Sequence, residues 1–128
     1  MKIQQLLPEH LPQVNELVEL AGWNQLTSDW LRVLDLNPQG CFAAFQGSRL
    51  VGTVTTTAYK KELAWIGMML VHPDWRRRGI ATALMERGIR FLHEFDIQCI
   101  KLDATPTGLY LYERLGFVSE WNFQRWVR

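Results

Sequence analysis

VHPDWRRRGIATALM, Val71 to Met85, is the stretch that decides how the rest of the chain is read. It joins the end of an apolar run, LAWIGMMLV (63–71), to a proline turn, three consecutive arginines, a glycine and a segment of helical periodicity. A helix N-terminus carries unpaired backbone N–H groups and positive partial charge, and a glycine there lets an anion approach the backbone. Ala81 is small enough to permit the same approach. Arg76, Arg77 and Arg78 oppose the helix dipole unless an anion binds among them, so the segment reads as a phosphate cradle. A solvated arginine loop and a nucleic-acid patch are the competing readings. Neither GxxxxGK[ST] nor GxGxxG occurs, so the phosphate belongs to a ligand other than those of the Walker and dinucleotide motifs.

The composition restricts the choice. With 128 residues, 48% of them hydrophobic, the chain suits a single domain, 1–128, with a real core. Fourteen Lys and Arg against thirteen Asp and Glu leave a net charge of +1, so no global field draws the surface to nucleic acid or membrane. No basic face backs the arginine loop, since the surface of the following helix carries Glu86 and Glu94, and no nucleic-acid partner is expected. MKIQQLLPEHLPQ lacks the apolar core of a signal peptide, and no run reaches the roughly 20 apolar residues of a membrane span. A cytoplasmic protein without membrane attachment is the expectation. Cys41 and Cys99 lack paired spacing, and His10, His72 and His93 are scattered, so reduced buried thiols and no metal are expected.

Working outward, KIQQL reads as a strand. Leu11, Val14, Leu17, Val18 and Ala21 mark a helix stopped by Gly22. Thr27, Ser28 or Asp29 is placed to cap a second helix that ends in Asn37-Pro38-Gln39-Gly40. CFAAF, a Gly47-Ser48-Arg49 turn and LVGTVTTTAY form an antiparallel pair, and Gly67 within LAWIGMMLV suggests a bulge. Ile80, Leu84, Gly88, Phe91, Leu92 and Phe95 define the buried face of the helix after the arginines. CIKLDAT is a strand, GLYLYERLG a short helix, and FVSEW with FQRWV a closing hairpin around Asn122. The sum is a mixed α/β domain with an antiparallel front half and one strand, helix, strand crossover.

The same residues carry a resemblance. VHPDWRRRGIATALM resembles the cofactor motif of the GNAT superfamily of N-acetyltransferases, Arg or Gln, two residues, Gly, one residue, Gly or Ala, which Arg76, Gly79 and Ala81 fill. Downstream, LYLYERLGF resembles the family's closing helix and strand, with Tyr112, Glu113, Arg114, Gly116 and Phe117 in place. The resemblance covers essentially the whole chain. It implies an α+β fold with a mixed, mostly antiparallel sheet of about six or seven strands and about four helices. It further implies binding of acetyl-CoA between LAWIGMMLV and CIKLDAT, splayed at the bulge. Met69, Leu70 and Val71 would pair with the pantetheine arm. Arg76, Arg77, Arg78, Gly79, Ile80, Ala81 and Thr82 would hold the pyrophosphate.

By the same resemblance, acetyl is passed to an amine by direct attack in a ternary complex, and Tyr112 is the general acid. Packing in the core is the alternative role of that ring. No base stands out: LAWIGMMLV lacks the glutamate that related enzymes often carry there, leaving Glu62, Asp103, Glu19, Asp29 or a water chain. Thr105 occupies the place of an asparagine that in many members bonds the pantetheine, and its hydroxyl is a substitute donor. Trp23, Asn24, Asp29, Trp30 and Trp65 fall where the family shapes its acceptor site, although core packing competes for each tryptophan. Trp75 is a candidate contact for adenine. The expected acceptor is a small-molecule amine or a protein amino group, and dimerisation through the closing strands is one arrangement the chain allows. An acyl-CoA-binding domain without catalysis and a small basic-loop nucleic-acid module are the alternative functions.

Overall fold

The computed structural model describes residues 1–22, 26–59, 62–103, 109–119 and 125–127. Along these run β1 (Lys2–Gln5), α1 (Leu11–Ala21), α2 (Thr27–Leu36), β2 (Phe42–Gln46), β3 (Arg49–Tyr59), β4 (Leu63–Val71), α3 (Ile80–Glu94), β5 (Cys99–Asp103), α4 (Leu109–Arg114), β6 (Val118–Ser119) and β7 (Arg125–Val127). The strands form one sheet in the order β1-β2-β3-β4-β5-β7-β6, as the mixed fold with six or seven strands requires. Every neighbouring pair is antiparallel except β4 and β5, which are parallel and joined through α3. The closing hairpin pairs as expected, while Asn122 at its turn lies outside the described residues.

Alternation along the strands divides the apolar side chains between two cores. Phe42, Ala44, Val51, Val54 and Ile66 pack with Ile80, Leu84, Met85 and Leu92 of α3 and with Tyr112 and Phe117. On the other face Ala43, Phe45, Leu50 and Leu70 meet Leu11, Val14 and Leu17 of α1 and Trp30 and Leu34 of α2. Each fully buried side chain of this size contributes about 1.5–3 kcal/mol. α1 stops where Gly22 turns left-handed at φ 70°, its N–H donating to the Glu19 carbonyl.

Two expectations are corrected. α2 is not capped by Thr27, Ser28 or Asp29: Leu26 is the capping residue, and the Asp29 carboxylate, one turn in, accepts its N–H at 3.0 Å. Phe95 is 51% exposed, because α3 ends at Glu94 and the chain turns away before a further residue of that face is laid down. The bulge that Gly67 suggested is present: the register with β3 slips between Gly67 and Leu70, with Met68 left-handed at φ 48°.

Candidate active site

β4 pairs with β5 only from Leu63↔Cys99 to Ile66↔Leu102. Beyond Ile66, the edge of β4 that faces β5 has no strand partner among the described residues. On its other edge the register with β3 slips between Thr53↔Leu70 and Thr55↔Gly67. The Thr53 hydroxyl donates to the Met68 carbonyl at 2.8 Å and the Thr55 hydroxyl to the Gly67 carbonyl at 3.0 Å. Two buried β-branched side chains therefore satisfy the carbonyls that the bulge displaces and make φ 48° at Met68 tenable. The bulge shifts the phase of the alternation: Ile66 packs on the α3 core, yet Met68, two residues on, packs toward α1 and α2, and Met69 returns toward α3. Met69 and Val71 are half-buried and Leu70 is buried, so this segment offers a ligand its backbone.

α3 begins beside this opening. Its capping residue is Gly79, left-handed at φ 79°, with no side-chain cap and no acidic residue in the first turn. The first bond within the helix is Ala83 N–H to the Gly79 carbonyl at 3.0 Å, so the N–H groups up to Thr82 have no partner within the helix. A Cβ built on Gly79 would have nothing within 4 Å, so the space in front of this terminus is open. Arg76, Arg77 and Arg78 are exposed, and Arg77 is also left-handed, at φ 63°. Left-handed positions at Arg77 and Gly79, on either side of Arg78, turn the chain sharply just before the helix. Arg78 lies over the Trp75 ring, 4.6 Å from its centre, so that face of the tryptophan is covered by a cation. Trp75 itself packs on the α3 core.

The closing motif reaches the same place. Tyr112 is buried, 8% exposed, in one core with Ile66, Ile80, Leu84 and Leu102, its ring edge-on to Phe117. Its carbonyl accepts from Leu115 N and Phe117 N and so closes α4. Burial raises the Tyr112 phenol above its ordinary value of 10.0. Arg114, one turn-edge further, places Nη2 3.5 Å from Thr82 Oγ1, tying α4 to the first turn of α3.

Other expected site residues scatter. Trp23, Asn24 and Thr105 lie outside the described residues. Trp30 is fully buried in the α1–α2 core and is not a pocket wall. Asp29 is half-buried and engaged with Leu26, and Trp65 is half-buried on the paired part of β4. Glu62 and Glu19 are exposed, and the Asp103 side chain lies outside the description. Among the described residues no three His, Cys, Asp or Glu side chains are grouped to hold a metal, and no helix is long and apolar enough to cross a membrane. Sequence reasoning missed Thr53 and Thr55, which stand in the sequence only as part of the threonine-rich stretch Thr53, Thr55, Thr56 and Thr57.

A mostly antiparallel sheet that opens beside its one parallel pair, with an uncapped helix at the opening, defines an acetyltransferase-type domain. The model of the acetyltransferase (GNAT) family matches residues 5–117, and the chain belongs to that family. It is 36% identical over 90 residues to N-alpha-acetyltransferase 30 of Xenopus laevis, across 65% of this chain and 33% of the relative. It is 34% identical over 116 residues to N-alpha-acetyltransferase MAK3 of Arabidopsis thaliana, across 85% and 61%. The chain thus spans less than two thirds of either relative. The fold matches Ard1 from Thermoplasma volcanium with a TM-score of 0.87 at 17% identity, over 98% of this chain and 93% of that one. The family uses acetyl-CoA.

Proposed function

We propose that the chain is an N-acetyltransferase that holds acetyl-CoA across the opening between β4 and β5 and acetylates an α-amino group. The observation that carries this is the convergence of three features: the unpartnered edge of β4 beyond Ile66, the uncapped start of α3, and Tyr112 on the helix tied to that start through Arg114. Residues and ligand fit. Met69, Leu70 and Val71 would present backbone to a pantetheine amide, and the N–H groups at the start of α3, with Arg76 and Arg77, would hold the pyrophosphate. Gly79 leaves the room that the phosphate needs. When bound, acetyl-CoA supplies the acetyl group as an activated thioester and departs as a thiolate.

Tyr112 holds the proton that the developing sulfur charge needs. With an ordinary value of 10.0 the phenol is neutral at physiological pH without any tuning, and its burial adds to that. A backbone N–H near Met69 is the donor for the thioester oxygen. The acceptor follows from what β4 lacks, since Leu63–Val71 carries neither carboxylate nor imidazole. A lysine amine near pH 7.5 is only about one part in a thousand unprotonated, whereas an α-amine is roughly a third unprotonated. A β4 that brings no base of its own therefore suits α-amines, which need less help in losing a proton, in keeping with relatives named N-alpha-acetyltransferases. The experiment is CoA release with peptides bearing a free N-terminus, set against the same peptides blocked at the N-terminus with an internal lysine. Turnover confined to the free N-terminus is expected; preference for the blocked lysine peptide would overturn the acceptor, and no turnover with either would overturn catalysis.

A further inference from the structure

We propose that His72 is a positioning residue for the cofactor, its Nδ1 capping the turn from which the arginine loop and Gly79 are presented; this rests on the cofactor reading above. His72 joins β4 to the loop and is 7% exposed. Its N–H donates to the Val51 carbonyl of β3 at 2.8 Å and its carbonyl accepts from Trp75 N at 2.9 Å, so the backbone is pinned on both sides. The ring then faces two donors. Asp74 N lies 3.1 Å from Nδ1, and Arg49 Nη2 lies 2.9 Å from Nε2.

A neutral imidazole has one lone pair for such bonds, and neither a guanidinium nor an amide N–H can accept. One contact must yield. Both residues are exposed and both contacts are part-buried, but Arg49 has four other N–H groups to use, whereas the Asp74 amide has a single N–H and it is directed at the ring. The lone pair therefore belongs to Nδ1, the proton to Nε2, and the Arg49 contact is dispensable. Asp74 is three residues before the first left-handed residue of the loop, so the cap fixes the point from which Arg77 and Gly79 turn back toward the opening.

The test is acetyl-CoA binding by calorimetry and steady-state kinetics in H72F, H72N, H72Q and R49M, with melting temperatures to confirm folding. H72F is expected to raise Kd and KM roughly tenfold, the scale of one hydrogen bond, with kcat at saturation kept. H72N, whose Oδ1 falls where Nδ1 was, should restore binding; H72Q, with its acceptor at the Nε2 position, should not. R49M should bind as the wild type does. A folded H72F with wild-type Kd, rescue by H72Q rather than H72N, or an equal loss in R49M overturns the proposal. Should H72F fail to fold, the contrast between H72N and H72Q decides alone. Wild-type protein that does not bind acetyl-CoA overturns the cofactor reading and this proposal together, whereas intact wild-type binding with any of the preceding results overturns this proposal only.

Discussion

Two residues carry opposite kinds of constraint at the site. Gly79 is held by its backbone: at φ 79° any L side chain is strained, yet the space around its Cβ is empty. Gly79→Asn should therefore lose less stability than Gly79→Glu, which should lose about 1–2 kcal/mol, because Asn is the side chain that tolerates this conformation best. Only the glutamate puts a negative charge in the path of the phosphates. Calorimetric titration with acetyl-CoA should find binding weakened in the first and abolished in the second, and equal affinities would remove the cradle from this terminus. Tyr112 is held by its ring, which Phe117 and the α3 core enclose. Tyr112→Phe keeps that packing and deletes the proton donor, so kcat should fall by about a hundredfold with acetyl-CoA affinity unchanged. Equal turnover would return Tyr112 to the core reading that its burial also permits.

At the scale of elements, the opening depends on how closely α3 approaches β3 and β4. Gly52 sets that distance: a Cβ there would lie 2.9 Å from Leu84 Cδ1, 3.0 Å from the Leu70 carbonyl and 3.1 Å from Ile80 Cγ2. The leucine end can swing aside, but the carbonyl belongs to the bulged strand and cannot. Gly52→Ala should cost about 1–3 kcal/mol and push the start of α3 off the sheet. Urea unfolding reads the first effect and acetyl-CoA affinity the second; loss of stability with affinity intact would show that the helix start is positioned from elsewhere. The long apolar and β-branched runs made β3, β4 and α3 legible in sequence, since each repeats its period over many residues. The bulge was signalled by Gly67, but its strain moved to Met68 because Thr53 and Thr55, from another strand, supply the compensating bonds. Side-chain bonds from one strand to the carbonyls of its neighbour, 12 to 15 residues apart, leave no periodic pattern to read. The cap of α2 was misplaced by one to three residues for a different reason: Ser, Thr and Asp all favour that position, and here Asp29 instead sits one turn in and accepts the N–H of Leu26.

For the whole molecule, the sheet order and the two-sided core follow from alternation and crossover, whereas the acceptor side of the site did not emerge from single residues. Tryptophans advertise both cores and pockets, and Trp30 shows the first use, with no exposure at all. Burial has a second consequence across the fold, in its response to alkali. The Cys41 thiol, enclosed between α2 and the sheet, is raised from 9.0 to about 11, mainly by burial and against a lowering bond from the Thr56 backbone. The unfolded chain therefore releases this proton two pH units before the folded chain does. The stability that Cys41 contributes is complete below pH 9 and declines as the pH rises to about 11, by about 2–3 kcal/mol for this shift. Tyr112 acts with the same sign from 10.0 upward. Urea unfolding of the reduced protein at stepped pH should show this decline. In Cys41→Ala, whatever the offset from the missing sulfur, the slope between pH 9 and about pH 11 should be shallower than in the parent. Parallel curves for the two proteins would mean that the thiol ionises as readily folded as unfolded, and that the sheet face beneath α2 admits water.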